Sequence, residues 1–419
     1  MLSVTVKTVS VHLLGEVRTK VTTHQAVFLL VGIAVVLVVT RLAGTLAQRL
    51  SQPRVVGEMA AGILLGPTLF HGVVTGALFP ADTRPLLTAL ANVGVAVFMF
   101  LVGLEIDHRV LRQDSATALT VSLGSIALPF GMGVGLAFLL DRPGVVMPGF
   151  ALFLGTAMAI TAFPVLARIL HDRELQRTRL GALALMCAAV GDVVAWLILA
   201  VVITTLGARH DQWRVVLLLP YLLVMVFAVR PLLRGLRPTT NSLVLVVAGL
   251  LLSAAGTEWM GLHFIFGAFL FGVIMPRTDL TRIVHERVET FGTTLLLPIF
   301  FVVSGLNVNL AGLSGAGIGA LGMILFAAIA GKLGGAYFGA RLRKERPHGA
   351  AVLAVLMNTR GLTELIVLSV GLQLGIMDVE LYSLLVVMAL ITTAMTGPLL
   401  SLLLRERDLV ASGCLPTTK

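Results

Sequence analysis

Charge is scarce in this 419-residue sequence: 12% of its residues are Asp, Glu, Lys or Arg, where a soluble globular chain carries about a quarter. That shortage excludes an ordinary soluble enzyme. Cysteine is almost absent as well, with Cys187 inside an apolar run and Cys414 in the tail, which excludes a disulfide framework and any zinc-ligand spacing. No phosphate-binding loop, nucleophile elbow or metalloprotease helix pattern occurs, so the sequence gives no support to an enzymatic reading and implies no cofactor. The formal net charge of +10 invites a nucleic-acid reading, but the basic residues fall in short loops between apolar runs and build no aromatic-interleaved patch. What is present in quantity is apolar surface, 57% of residues, together with 43 glycines. This is the composition of a polytopic, all-α membrane protein whose helices approach closely at small residues.

Apolar runs of spanning length occur at roughly 25–46, 54–70, 86–104, 116–140, 148–168, 180–206, 214–233, 241–256, 261–276, 290–308, 313–340, 349–375 and 380–404. They predict about 13 transmembrane helices, or twelve if short neighbouring runs merge. Residues 1–24 precede the first run as an extracytoplasmic segment, and 405–419 form a short cytoplasmic tail. Most of the 31 Lys and Arg residues fall on one side if the N-terminus is outside and the C-terminus inside, the bias that orients helical proteins in a cell membrane.

Asp192 lies mid-run in Ala188-Ala189-Val190-Gly191-Asp192-Val193. A carboxylate at the bilayer centre costs roughly 2.5–3.5 kcal/mol on insertion scales, so it marks a cavity or a partner. The bland alternative is an Asp that hydrogen-bonds inside the bundle. Two interruptions accompany it. In the first half, Thr161-Ala162-Phe163-Pro164 places a proline that removes a backbone donor and disfavours helix at Phe163, freeing carbonyls near Thr161 for a cation or water; a structural kink accounts for Pro164 equally well. In the second half, Asn358-Thr359-Arg360-Gly361 makes the matching break, and Lys332 lies near the centre of the preceding run. Paired interruptions with a mid-span charge fit inverted repeats whose two discontinuous helices cross near the midplane. Arg360 and Glu364, four residues apart, share a helix face and pair with each other in the simplest reading; a role in gating or cavity shaping stays open. Glu58 follows a basic loop and at most attracts cations to an entrance. The series Gly331, Gly335 and Gly339 reads as a close-packing face.

The segments Val56-Gly57-Glu58-Met59-Ala60-Ala61-Gly62, Phe100-Leu101-Val102-Gly103-Leu104-Glu105, Ile160-Thr161-Ala162-Phe163-Pro164, Leu297-Pro298-Ile299-Phe300-Phe301 and Met357-Asn358-Thr359-Arg360-Gly361-Leu362-Thr363-Glu364 resemble the monovalent cation:proton antiporter-2 family, most closely its plant-type cation/proton exchanger (CHX) branch. The resemblance runs from about residue 25 to 404. It implies the sodium/proton antiporter fold, a homodimer in membrane lipid, and an elevator motion of a core part (about 116–206 and 313–404) against a dimerisation part (about 25–104 and 241–308), with a linker helix at about 214–233. It also implies that Asp192, matching the second member of a paired motif, binds cation and proton in turn. Gly191 occupies the first position and departs from the pattern, because it has no side chain to coordinate an ion or to pair with Lys332.

The resulting expectation is alternating-access exchange of K+ or Na+ for H+, with Asp192 as the shared ligand of both, Thr161 and neighbouring carbonyls completing the cation shell, and one-for-one, electroneutral stoichiometry. An uncoupled gated K+ efflux channel and a non-transporting membrane sensor are the alternatives.

Overall fold

In the hydrocarbon core of a bilayer a backbone satisfies its polar groups only by closing them into helices or a closed barrel, and every regular element among the described residues is helical. The computed structural model describes residues 23–50, 52–68, 72–105, 115–140, 147–176, 178–206, 216–311 and 315–404. The tail 405–419 and all but the last two residues of the segment 1–24 lie outside them.

The helices run in order α1 (Thr23–Arg49), α2 (Arg54–Leu65), α3 (Val73–Leu78), α4 (Arg84–Glu105), α5 (Ser115–Leu139), α6 (Met147–Ala159), α7 (Phe163–Asp172), α8 (Arg179–Leu206), α9 (Leu218–Val224), α10 (Arg230–Arg234), α11 (Thr240–Trp259), α12 (Phe264–Ile274), α13 (Asp279–Phe291), α14 (Leu297–Leu306), α15 (Gly315–Leu342), α16 (Pro347–Met357), α17 (Leu362–Gln373) and α18 (Val379–Leu403). Single π turns, Met225–Val229 and Gly292–Leu296, join α9 to α10 and α13 to α14.

Among the described residues, nine helical stretches are long and apolar enough to cross a membrane, and ten if the bent pair α16–α17 is one span. Three of the thirteen apolar runs fold into shorter pieces. The run at 54–70 stops as α2 before Gly66-Pro67, the run at 261–276 yields the 11-residue α12, and the run at 214–233 gives a helix that continues through its π turn but extends only from Leu218 to Arg234. Hydropathy runs on through these turns because their residues are themselves apolar or small; a helix needs about 20 residues to span 30 Å.

The helices pack in two groups. In one, α2 lies on α1 and α14, and α4 lies on α12 and α14, with α11 and α13 alongside. In the other, α5 packs along α15, α6 and α8, while α16 packs against α15, α18 and α8. α5 and α15 approach closely, so that a β-carbon on Gly124 would stand 2.4 Å from the Gly335 carbonyl oxygen and one on Gly335 would stand 2.1 Å from that of Gly124. The two backbones touch, as the four-residue glycine spacing on α15 predicts.

Candidate ion-binding site

The site is assembled where two helices stop. The chain leaves helix at Ile160, Thr161 and Ala162 between α6 and α7, and again between Asn358 and Gly361, where α16 and α17 meet at a bend of 43°. Gly361 makes the second turn at φ 157° and ψ −126°, a conformation that a side chain would strain. Pro164 behaves differently from the sequence expectation. It sits in the first turn of α7, which already begins at Phe163, where a helix has no donor partner to lose; the unwound residues are those before it.

The two interruptions satisfy one another. The Ala162 N–H donates to the Thr359 carbonyl at 3.0 Å, and the Thr161 hydroxyl donates to the Met357 carbonyl at 3.1 Å. The last turn of α6 presents carbonyls that no helical residue can reach. Arg360 fills two of them, Nη1 donating to Ala157 at 3.0 Å and Nη2 to Met158 at 2.7 Å. Lys332 on α15 fills the third, its ammonium donating to the Ala159 carbonyl and, at 2.6 Å, to the Thr161 hydroxyl. Two cations at a helix C-terminus also suit its partial negative charge, and Glu364, in the first turn of α17, suits the opposite pole. The carbonyls freed by the first break are therefore held by the protein's own cations, and Thr161 by Lys332, rather than left open for a transported ion.

Arg360 and Glu364 pair at 2.9 Å, both fully buried, as their spacing on one helix face suggests. The Arg360 backbone is braced from α18, its N–H donating to the Thr393 hydroxyl at 3.0 Å and its carbonyl accepting from that hydroxyl at 2.7 Å; the Asn358 amide donates to the Thr392 carbonyl at 3.3 Å. Sequence reasoning missed these threonines. Their signal was a polar cluster, Thr392, Thr393 and Thr396, in an apolar span with none of the three exposed.

Asp192 lies midway along α8 and is 3% exposed. Lys332 lies within electrostatic range of Asp192, Arg360 and Glu364. Beside Asp192, a β-carbon on Gly191 would find no atom within 4 Å. The missing side chain thus leaves space rather than a packed surface. Among the described residues, these two acids and two bases are the only charged side chains buried this deeply, and their charges sum to zero.

A cavity of about 670 Å³ opens between the two helix groups. Arg41, Arg54 and Glu58 line it from α1 and α2, while Pro164, Val165 and Arg168 of α7 and Leu362 of α17 line it from the other group, so it reaches the residues flanking both breaks.

A helical membrane bundle with two interrupted helices meeting around buried opposite charges is built as a secondary transporter of small ions. Residues 25–406 match the family described as sodium/hydrogen exchanger, transmembrane. The chain is 41% identical over 400 residues to the Na(+)/H(+) antiporter NhaS4 of Synechocystis sp., covering 90% of this chain and 97% of that one. It is 37% identical over 395 residues to Cation/H(+) antiporter 17 of Arabidopsis thaliana, where it covers 90% of itself and spans about half, 48%, of the plant protein. In architecture it resembles the sodium proton antiporter MjNhaP1 of Methanocaldococcus jannaschii, with a TM-score of 0.64 at 15% identity over 93% of this chain and 98% of that one. The chain belongs to the sodium/hydrogen exchanger family, on the cation/proton exchanger side that its motifs indicate. Its members are transporters, not enzymes, and use no cofactor; cations and protons are their cargo.

Proposed function

We propose that the protein exchanges one monovalent cation, K+ or Na+, for one proton by alternating access, with Asp192 as the group that holds either. The observation that carries this reading is a carboxylate buried at mid-helix, with open space at Gly191 beside it and a neighbouring ammonium at Lys332. Proton and cation compete for one carboxylate, and that competition is the coupling. One carboxylate that holds a single cation or a single proton makes the exchange one-for-one and electroneutral.

The division of the helices into two packed groups, with a cavity between them that touches both breaks, supports an elevator in which 116–206 and 313–404 move as the core against 25–104 and 241–308, the linker lying at 214–233. The hydrogen bonds from Thr161 to Met357 and from Ala162 to Thr359 support the crossed arrangement of two discontinuous helices related as inverted repeats. Residence in the cell membrane as a homodimer, N-terminus outside and C-terminus cytoplasmic, completes the proposal. Because Lys332 already holds Thr161, cation entry in this scheme includes release of the Thr161 hydroxyl by the ammonium.

Proteoliposomes loaded at one pH and diluted into K+, Na+, Li+ or Rb+ test the scheme. Cation-dependent proton flux without net current is expected, and Asp192→Asn is expected to abolish it while the protein still folds. Flux retained in Asp192→Asn removes that residue from the mechanism, and net current at each turnover rejects the stoichiometry. Cation flux without proton counterflux identifies an uncoupled channel instead.

A further inference from the structure

The second break contains more polar atoms than its neighbours satisfy. Asn358 Oδ1, Thr359 Oγ1, Thr363 Oγ1 and Glu364 Oε2 accept no hydrogen bond from any protein group, and Arg360 Nε donates none. All five residues are 0% exposed, and they occupy seven consecutive positions. Each buried polar group left without a partner costs about 1–3 kcal/mol, so together they form a strong demand for a ligand. The chemistry of the set selects which one. Arg360 Nε is a pure donor in the same stretch as the acceptors, and the Arg360–Glu364 pair is already neutral, which disfavours a bare cation there. Water serves donor and acceptor alike, and a buried water typically binds two to four such groups. The ion pair uses only Oε1 of Glu364, leaving Oε2 without a protein partner. Glu364 also lies within electrostatic range of Lys332 on α15, which in turn is within range of Asp192 on α8.

We propose that the second break holds a chain of ordered water and that Glu364 is the proton station on it, passing protons between that water and the Asp192 site. In each step a hydronium O–H bond breaks and an O–H bond forms at Glu364 Oε2; the carboxyl then gives that proton to the next water, while Arg360 stays protonated on Oε1. No proton is retained per turnover, so the one-for-one stoichiometry is unchanged. The inference rests on the exchanger reading above and adds a proton route distinct from the cation's.

The test uses the full chain in proteoliposomes, with exchange rates measured in H2O and D2O. Glu364→Gln is expected to lower the maximal exchange rate about tenfold or more, the scale of a lost proton-transfer group, with the half-saturating cation concentration held within about twofold. Its solvent isotope effect is expected to exceed that of the unmodified protein, and Glu364→Asp to restore part of the rate. A purely structural Glu364 would not move the isotope effect. An unchanged rate, or a lost rate accompanied by weaker cation saturation, overturns the proposal. If Glu364→Gln does not fold, Thr363→Val removes one water partner without touching charge; slower exchange with the same isotope signature upholds the route, and an unchanged rate overturns it. Absence of cation-coupled proton flux in the unmodified protein rejects the exchanger reading and the route together, whereas intact flux indifferent to both substitutions rejects the route alone.

Discussion

The two helix breaks do different work although they meet. The first, at 160–162, bends the chain so little that Met147–His171 still reads as a single apolar span, and it contributes no charge: its part is the carbonyls of Ala157, Met158 and Ala159, with the Ala162 N–H and Thr161 hydroxyl donating across the contact. The second, at 358–361, turns through 43° and supplies donors and charge in Asn358, Arg360 and Glu364. One break is an electron-rich socket and the other a charged plug. Two interruptions that look equivalent in hydropathy are thus unequal halves of one contact, and each is stabilised by side chains from the other.

Arg360→Met should break that complementarity most completely. It orphans two α6 carbonyls and leaves the Glu364 carboxylate buried alone, and removing one partner of a buried pair costs about 3–5 kcal/mol. A thermal midpoint in detergent close to that of the unmodified protein would show that the contact matters little. Lys332→Ala removes the other cation from the socket, with a stability loss on the order of 1–3 kcal/mol. It should also change the pH profile of exchange, because a base is removed from the neighbourhood of Asp192; an unmoved pH profile would separate Lys332 from Asp192. Thr161→Val cuts one hydroxyl out of the link between the breaks, costing roughly 1–2 kcal/mol and weakening cation saturation more than it slows maximal exchange. The smallest effect is expected from Pro164→Ala. The proline begins α7 rather than interrupting a helix, so the thermal midpoint should reflect a change within about 1 kcal/mol; a large loss would restore Pro164 as the cause of the break.

These differences explain what the sequence disclosed. Asp192, Lys332 and the two interruptions were visible because polar residues in an apolar run are rare enough to read singly, and Arg360–Glu364 was visible because helical spacing brings them together. The partners of Lys332 were not, since a backbone carbonyl has no residue identity and Thr161 is 171 positions away. The role of Pro164 misled because the sequence shows which donor is missing but not whether the helix starts before or after it. At α2 and α12 the helix is shorter than its apolar run because composition measures oiliness, whereas length in helix depends on where the backbone turns.

The touching backbones of α5 and α15 have a mechanical consequence. With no side chain between Gly124 and Gly335, the two rods have no compressible layer along which to slide, so Lys332 rides on a girder fixed to its neighbour. In the elevator proposed above, the sliding surface is then the cavity seam rather than this contact, and a single methyl group added at Gly335 would prise the two rods apart.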